Sequence, residues 1–70
     1  MSAESLADVT ERLFREFEPR LSLGTIVATV RQSRRDLEDA GTPQPALPEL
    51  VERLARQRLT QLAMQPPQPN

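Results

Sequence analysis

Apolar residues recur every three or four positions over most of this chain, a spacing that is typical of amphipathic helices. The clearest stripe lies in the last third of the sequence, where these residues share one helical face: Leu47, Leu50, Val51, Leu54, Ala55, Leu59 and Leu62. Pro48 stands in the first turn, where a missing N–H breaks no intrahelical hydrogen bond. Glu49 near the start and Arg56 in the later turns suit the helix dipole. The pattern predicts a helix over residues 47–63.

A second stripe near the start of the chain predicts a helix over residues 4–17. Its large apolar residues are again three or four positions apart: Leu6, Val9, Leu13, Phe14 and Phe17. Either Ser2 or Ser5 can cap its start through a side-chain oxygen. Pro19 disfavours helical geometry at Glu18, so the helix should end near Phe17. Both phenylalanines, the only aromatic residues, are expected to pack in the core.

The middle of the chain predicts a helix over residues 22–40. Ser22 is suited to cap its start, and Gly41 to end it in a left-handed conformation. Residues 25–30 are rich in β-branched side chains and could also be a strand. A helix is favoured because apolar positions continue at helical spacing to Leu37 and no second strand is present to pair with this one.

The remaining segments are rich in proline and polar residues. Pro43 and Pro45 indicate a stiff, extended linker over residues 42–46. Residues 1–3 and 64–70 are expected to be disordered, because they have too little apolar content to pack. Pro66 and Pro69 match the PxxP pattern of proline-rich ligands, which gives the tail a recognition role as a further hypothesis.

Three amphipathic helices with short connections predict an all-α fold, a three-helix bundle over residues 4–63 with up-down-up packing. Seventy residues form only a small core. The chain has no cysteine, so no disulfide can add stability. Oligomerisation is the most available further source of stability.

The composition argues against an enzyme. Without histidine or cysteine, the usual zinc sites and the serine or cysteine triads are excluded within this chain. Gly24 and Gly41 are isolated, so no glycine-rich phosphate loop is present. No cofactor or metal is expected. No apolar stretch is long enough to span a membrane, and the N-terminus lacks the pattern of a signal peptide, so a cytoplasmic protein is expected.

Arg58 breaks the pattern of the third helix, because it falls inside the apolar sector near Leu54 and Leu62. One interpretation is that its methylene stem packs while its guanidinium reaches the edge of the bundle. The other is that the charge pairs with a carboxylate across a dimer interface and fixes helix pairing there.

The densest basic cluster is formed by Arg31, Arg34 and Arg35 in the second helix. A basic helix in a three-helix protein suggests a helix-turn-helix DNA-binding motif. Acidic residues follow at once, however, and the nine basic and ten acidic residues of the chain nearly balance. A solvated face is therefore favoured, and a small DNA-associated regulator that uses these arginines is the alternative function.

The order of these features resembles a known family. The relevant residues are Arg12, Leu13 and Phe17; Ser22, Ile26, Val27, Val30 and Leu37; and Leu47, Pro48, Leu50, Val51 and the sequence ERLARQRL over residues 52–59. Over residues 6–62 the chain is similar to the three-helix bundle dimerization domain of actinobacterial proteins. That domain occurs alone and before a low-molecular-weight phosphatase-like arsenate reductase domain.

The resemblance implies a homodimerising or partner-binding helical module. It does not extend to arsenate reduction, because the phosphate loop of that catalytic domain needs a nucleophilic cysteine and this chain has none. The third helix is expected to contribute most to the dimer. The expected interface residues are Leu50, Leu54, Arg58, Leu59 and Leu62.

Overall fold

The computed structural model describes residues 5–65. It contains three α-helices, α1 (Leu6–Phe17), α2 (Leu23–Asp39) and α3 (Leu47–Met64), and a short 3-10 helix at Gln44–Ala46. No strand occurs in this part of the chain, and the predicted all-α three-helix bundle is confirmed. The stretch that could have been a strand, residues 25–30, lies within α2. The disorder expected for residues 1–3 and the PxxP motif fall outside the described residues.

Local capping sets the ends of the first two helices. Ser5 begins α1 with a capping box: its Oγ accepts from the N–H of Asp8 at 3.2 Å, and the Asp8 carboxylate accepts from the N–H of Ser5. Ser5, rather than Ser2, is therefore the cap. The Oγ of Ser22 accepts from the N–H of Thr25 at 3.2 Å and begins α2. Helix α1 ends at Phe17, and Glu18 before the proline is extended.

Gly41 ends α2 in the left-handed conformation that its position predicted, with φ of 85°. The N–H of Gly41 donates to the carbonyl of Glu38, and the N–H of Thr42 donates to the carbonyl of Leu37. The linker that follows is not extended throughout, because Gln44–Ala46 form a 3-10 turn that leads directly into α3. This turn accommodates Pro45, since the first residues of a helical turn need no N–H donor.

The core lies between the three helices, and each of them contributes to it. Its buried hydrophobic side chains are Val9, Leu13, Phe17, Ile26, Val30, Leu47, Val51, Ala55 and Leu59. Phe17 belongs to this core as predicted, whereas Phe14 is only partly buried and packs against its edge. Helix α3 also continues one residue beyond its expected end, to an exposed Met64.

Ion pairs between α1 and α3 give the relative direction of the helices. Arg12 pairs with Glu52, and four residues later on both helices Glu16 pairs with Arg56. The two helices therefore run parallel. Because α2 is joined to each of them by a short connection, it runs antiparallel to both, and the bundle has up-down-up topology.

Within residues 5–65, no helix combines the length and the apolar character that crossing a membrane requires.

Candidate interaction surfaces

The face between α1 and α3 carries a network of four charged side chains that pair within the chain. Glu52 accepts hydrogen bonds from Arg12 and, at 2.9 Å, from Arg56, which also donates to Glu16 at 3.1 Å. The hydrogen bond from Arg12, followed by that from Arg56, lowers the pKa of the Glu52 carboxyl despite its partial burial. The network joins the two helices that are furthest apart in sequence.

The face between α2 and α3 contains Arg58, the residue that broke the apolar pattern. Its Nη2 lies 2.8 Å from Oδ2 of Asp36, and its Nη1 donates to Oγ of the fully buried Ser33 at 3.4 Å. Hydrogen bonds from Gln32 and then from Arg58 lower the pKa of Asp36. Arg58 therefore has a carboxylate partner on α2 of the same chain, and its guanidinium lies at the edge of the bundle, as the first of the two interpretations predicted.

The other residues expected at a dimer interface lie at different depths. Leu59 has no exposed surface and belongs to the core of the bundle, so it is not available to a partner. Leu50 and Leu54 are partly buried, and Leu62 is 40% exposed. Leu62 borders a groove of about 450 Å³ beside α2. The predicted stripe is thus divided between the core and one edge of α3.

A larger groove, of about 850 Å³, lies between α1 and α2 on the side of the bundle away from α3. Its apolar lining comes from Leu6 and Phe14 of α1 and from Leu23, Val27 and Val30 of α2. Leu23 is 52% exposed and continues this apolar lining to the start of α2. We call this surface the α1–α2 groove.

The predicted basic cluster forms one edge of the α1–α2 groove, since Arg31, Arg34 and Arg35 all line it. Arg34 pairs with Glu38 at 3.3 Å, whereas Arg31 and Arg35 form no ion pair with any of residues 5–65. Glu11 lines the groove on the α1 side and pairs with Arg15 at 2.7 Å. The groove therefore has an apolar lining, an α2 edge with three arginines and Glu38, and an acidic residue on α1.

The groove was not predicted from the sequence, although the apolar pattern of the first two helices indicates it. Phe14 lies beside the stripe of Leu6, Val9 and Leu13 and widens it beyond what one contact face needs. Leu23 and Val27 widen the stripe of α2 toward the same side. Two widened stripes on adjacent helices indicate apolar surface that the third helix does not cover.

No cluster suited to metal binding accompanies these surfaces in the described part of the chain. Among residues 5–65, no three or more acidic side chains come together in a way that could hold a metal ion. No family model, curated protein or solved structure matches this chain. The surface of the bundle is therefore the basis for inferring its function.

Proposed function

We propose that the protein is a non-enzymatic, cytoplasmic interaction module that associates with itself through its three-helix bundle. The main observation behind this proposal is the α1–α2 groove, where Leu6, Phe14, Leu23 and Val27 remain partly or largely accessible. An apolar centre with a charged rim is the usual composition of a protein–protein interface.

The small size of the core supports self-association. The buried hydrophobic residues of the described chain number only nine, and three of them are valine and one is alanine. A bundle of this size without disulfides or metal has a low free energy of unfolding, and burial of further apolar surface against a second copy would raise it. The resemblance to a dimerization domain agrees with this proposal.

Sedimentation equilibrium of the full chain, from low micromolar to near-millimolar concentration, tests the proposal directly. We expect a monomer–dimer equilibrium in which the dimer persists at low micromolar concentration. The thermal midpoint should rise with protein concentration, because association stabilises only the folded chain. A folded monomer at every concentration contradicts self-association.

A DNA-associated regulator is the second candidate, and it is favoured by one observation: Arg31, Arg34 and Arg35 share an edge, and Arg31 and Arg35 form no ion pair with any of residues 5–65. Fluorescence anisotropy of labelled duplex DNA over a range of salt concentrations separates the two candidates. Self-association predicts no saturable binding at physiological salt. Tight binding that weakens steeply with salt, and is lost in Arg31→Glu, favours the regulator.

A further inference from the structure

We propose that the α1–α2 groove binds the same groove of a second copy of this chain, with α1 of each copy lying along α2 of the other. The inference rests on the proposed self-association and names the surface responsible for it. It differs from the expectation drawn from the sequence, which placed the interface on α3. Three observations favour this interface. They are the apolar lining of the groove, the charges on its two edges, and the pairing of charges on the other two faces within the chain.

The apolar lining suits a second pair of helices. The groove runs between two antiparallel helices and is lined along its length by side chains from Leu6 to Phe14 on α1 and from Leu23 to Val30 on α2. Two such grooves placed face to face form a four-helix arrangement with a closed apolar centre. Leu23, the most exposed apolar side chain of the groove, would be buried in both copies.

The charges on the edges make the groove complementary to itself. Three arginines and Glu38 line its α2 edge, which stays basic because Glu38 pairs only with Arg34. Its α1 edge carries Glu11, whose pair with Arg15 is exposed. A twofold axis parallel to the helices places α1 of one copy over α2 of the other, so that each basic edge meets the acidic edge of the partner. Opposite charges then face each other twice in the dimer.

The positions along the helices also agree. Because α1 and α2 are antiparallel and joined by a short connection, residues equally distant from that connection lie at the same height. Glu11 lies six residues before the end of α1 and Arg31 lies eight residues after the start of α2, so their heights differ by only about 3 Å. Both residues line the groove. A twofold axis parallel to the helices preserves height, so Glu11 of one copy lies beside Arg31 of the other.

The other two faces offer less to a second copy. Between α1 and α3, Arg12 and Arg56 already pair with acidic groups of the same chain. Between α2 and α3, Arg58 is paired with Asp36, and Leu59 is buried. In contrast, Arg31 and Arg35 have no ion pair within residues 5–65. The α1–α2 groove therefore combines accessible apolar surface with two arginines, Arg31 and Arg35, that form no ion pair within residues 5–65.

A matched pair of substitutions tests the surface. Leu23→Glu alters the groove, and Leu62→Glu makes the same chemical change at an exposed leucine beside the other groove. Leu23 is the first residue of α2, where an acidic side chain suits the helix dipole, so the variant should fold. We expect Leu23→Glu to weaken the dimer roughly 100-fold and Leu62→Glu to leave its dissociation constant within about threefold of the parent. Circular dichroism verifies that both variants are folded.

Charge reversal on opposite edges tests whether the contact is between subunits. Glu11→Arg alone and Arg31→Glu alone each place like charges in both contacts of the homodimer, and each should weaken it about tenfold. An equimolar mixture of the two variants forms a heterodimer in which both contacts again join opposite charges. We expect this mixture to recover the affinity of the parent.

Glu49→Arg and Arg53→Glu are the matched controls, because both residues are exposed on α3 and the changes in net charge are the same. Each control should dimerise like the parent, alone and mixed. A parent dimer that survives Leu23→Glu, or a mixture of Glu11→Arg and Arg31→Glu that stays as weak as its components, overturns this interface and leaves self-association standing. A monomeric parent overturns both.

Discussion

The guanidinium of Arg58 lies 2.8 Å from the carboxylate of Asp36, and this pair joins α3 to α2 at the edge of the core. Arg58 also donates a hydrogen bond through Nη1 to Oγ of the buried Ser33, so its guanidinium covers a polar position inside the bundle. Arg58 therefore joins α3 to α2 within one chain, and its predicted role at a dimer interface stays a prediction. Because Arg58 pairs within the chain, the effect of replacing it can be measured on the monomer.

Replacing Arg58 by methionine should raise the pKa of Asp36 toward its ordinary value. Gln32 and Arg58 both donate hydrogen bonds that favour the ionised carboxylate, and the variant removes the second of them while keeping an apolar stem. Titration of the Asp36 carboxyl by NMR checks this expectation. Arg53→Met, on the exposed side of α3, should leave the titration unchanged; a shift of equal size there would contradict the assignment.

Glu52 should make the bundle sensitive to acid. Its pKa is lowered in the folded chain by Arg12 and Arg56, whereas the unfolded chain retains a value near 4.5. Between these two values the unfolded state binds more protons, so the free energy of unfolding falls as the pH falls. The stabilisation by Glu52 is complete when the pH is above the pKa of this carboxyl in the unfolded chain. It is lost as the pH drops through the pKa of the same carboxyl in the folded chain.

Urea unfolding from about pH 6 to about pH 3 measures this dependence. Glu52→Gln should be less stable than the parent at the upper end of the range and should lose less stability on acidification. Glu18→Gln removes an exposed carboxylate for which the described chain shows no ion pair, and it should retain the slope of the parent. Equal slopes for the parent and Glu52→Gln would refute the role of the network.

Leu59→Ala should destabilise the bundle far more than Leu62→Ala. Leu59 is fully buried, so its truncation leaves a cavity and costs about 2–5 kcal/mol, a large part of the stability of so small a domain. Leu62 is 40% exposed, and its truncation should cost less than about 1 kcal/mol. Denaturation followed by circular dichroism at low protein concentration distinguishes the two, and similar losses would place Leu62 in the core as well.

The two glycines should respond to alanine with opposite signs. Gly24 lies in the first turn of α2 with no heavy atom near an added Cβ, so Gly24→Ala should stabilise the protein by about 0.5–1 kcal/mol. Gly41 has equally open surroundings but φ of 85°, so Gly41→Ala should destabilise by about 1 kcal/mol. Thermal unfolding of both variants provides the measurement, and stabilisation by Gly41→Ala would show that the turn can adopt another conformation.

Features that depend on neighbouring residues could be predicted from the sequence. Ser22 and Gly41 mark the ends of α2 because a cap needs only the backbone beside it. Pro48 and the helical spacing of apolar residues placed α3 within one residue of its observed bounds. The linker was less well predicted, because two prolines suit an extended segment and a 3-10 turn alike.

Features that depend on how the helices face each other could not be predicted in the same way. Leu59 and Leu62 lie on one stripe of α3, yet only the position of α2 and α1 decides that the first is buried and the second is exposed. The partner of Arg58 was unknown for the same reason, since Asp36 is distant in sequence. The α1–α2 groove likewise exists only once α3 has packed on the opposite side.

The parallel arrangement of α1 and α3 has a mechanical consequence. With three alternating helices, the start of α1 and the end of α3 lie at opposite ends of the long axis of the bundle. A force that pulls these two points apart acts along the helices and shears α1 against α3. The pairs of Arg12 with Glu52 and of Glu16 with Arg56 are then loaded together instead of one after the other. Because both pairs share the load, extension along the axis meets more resistance than it would if the pairs broke one at a time.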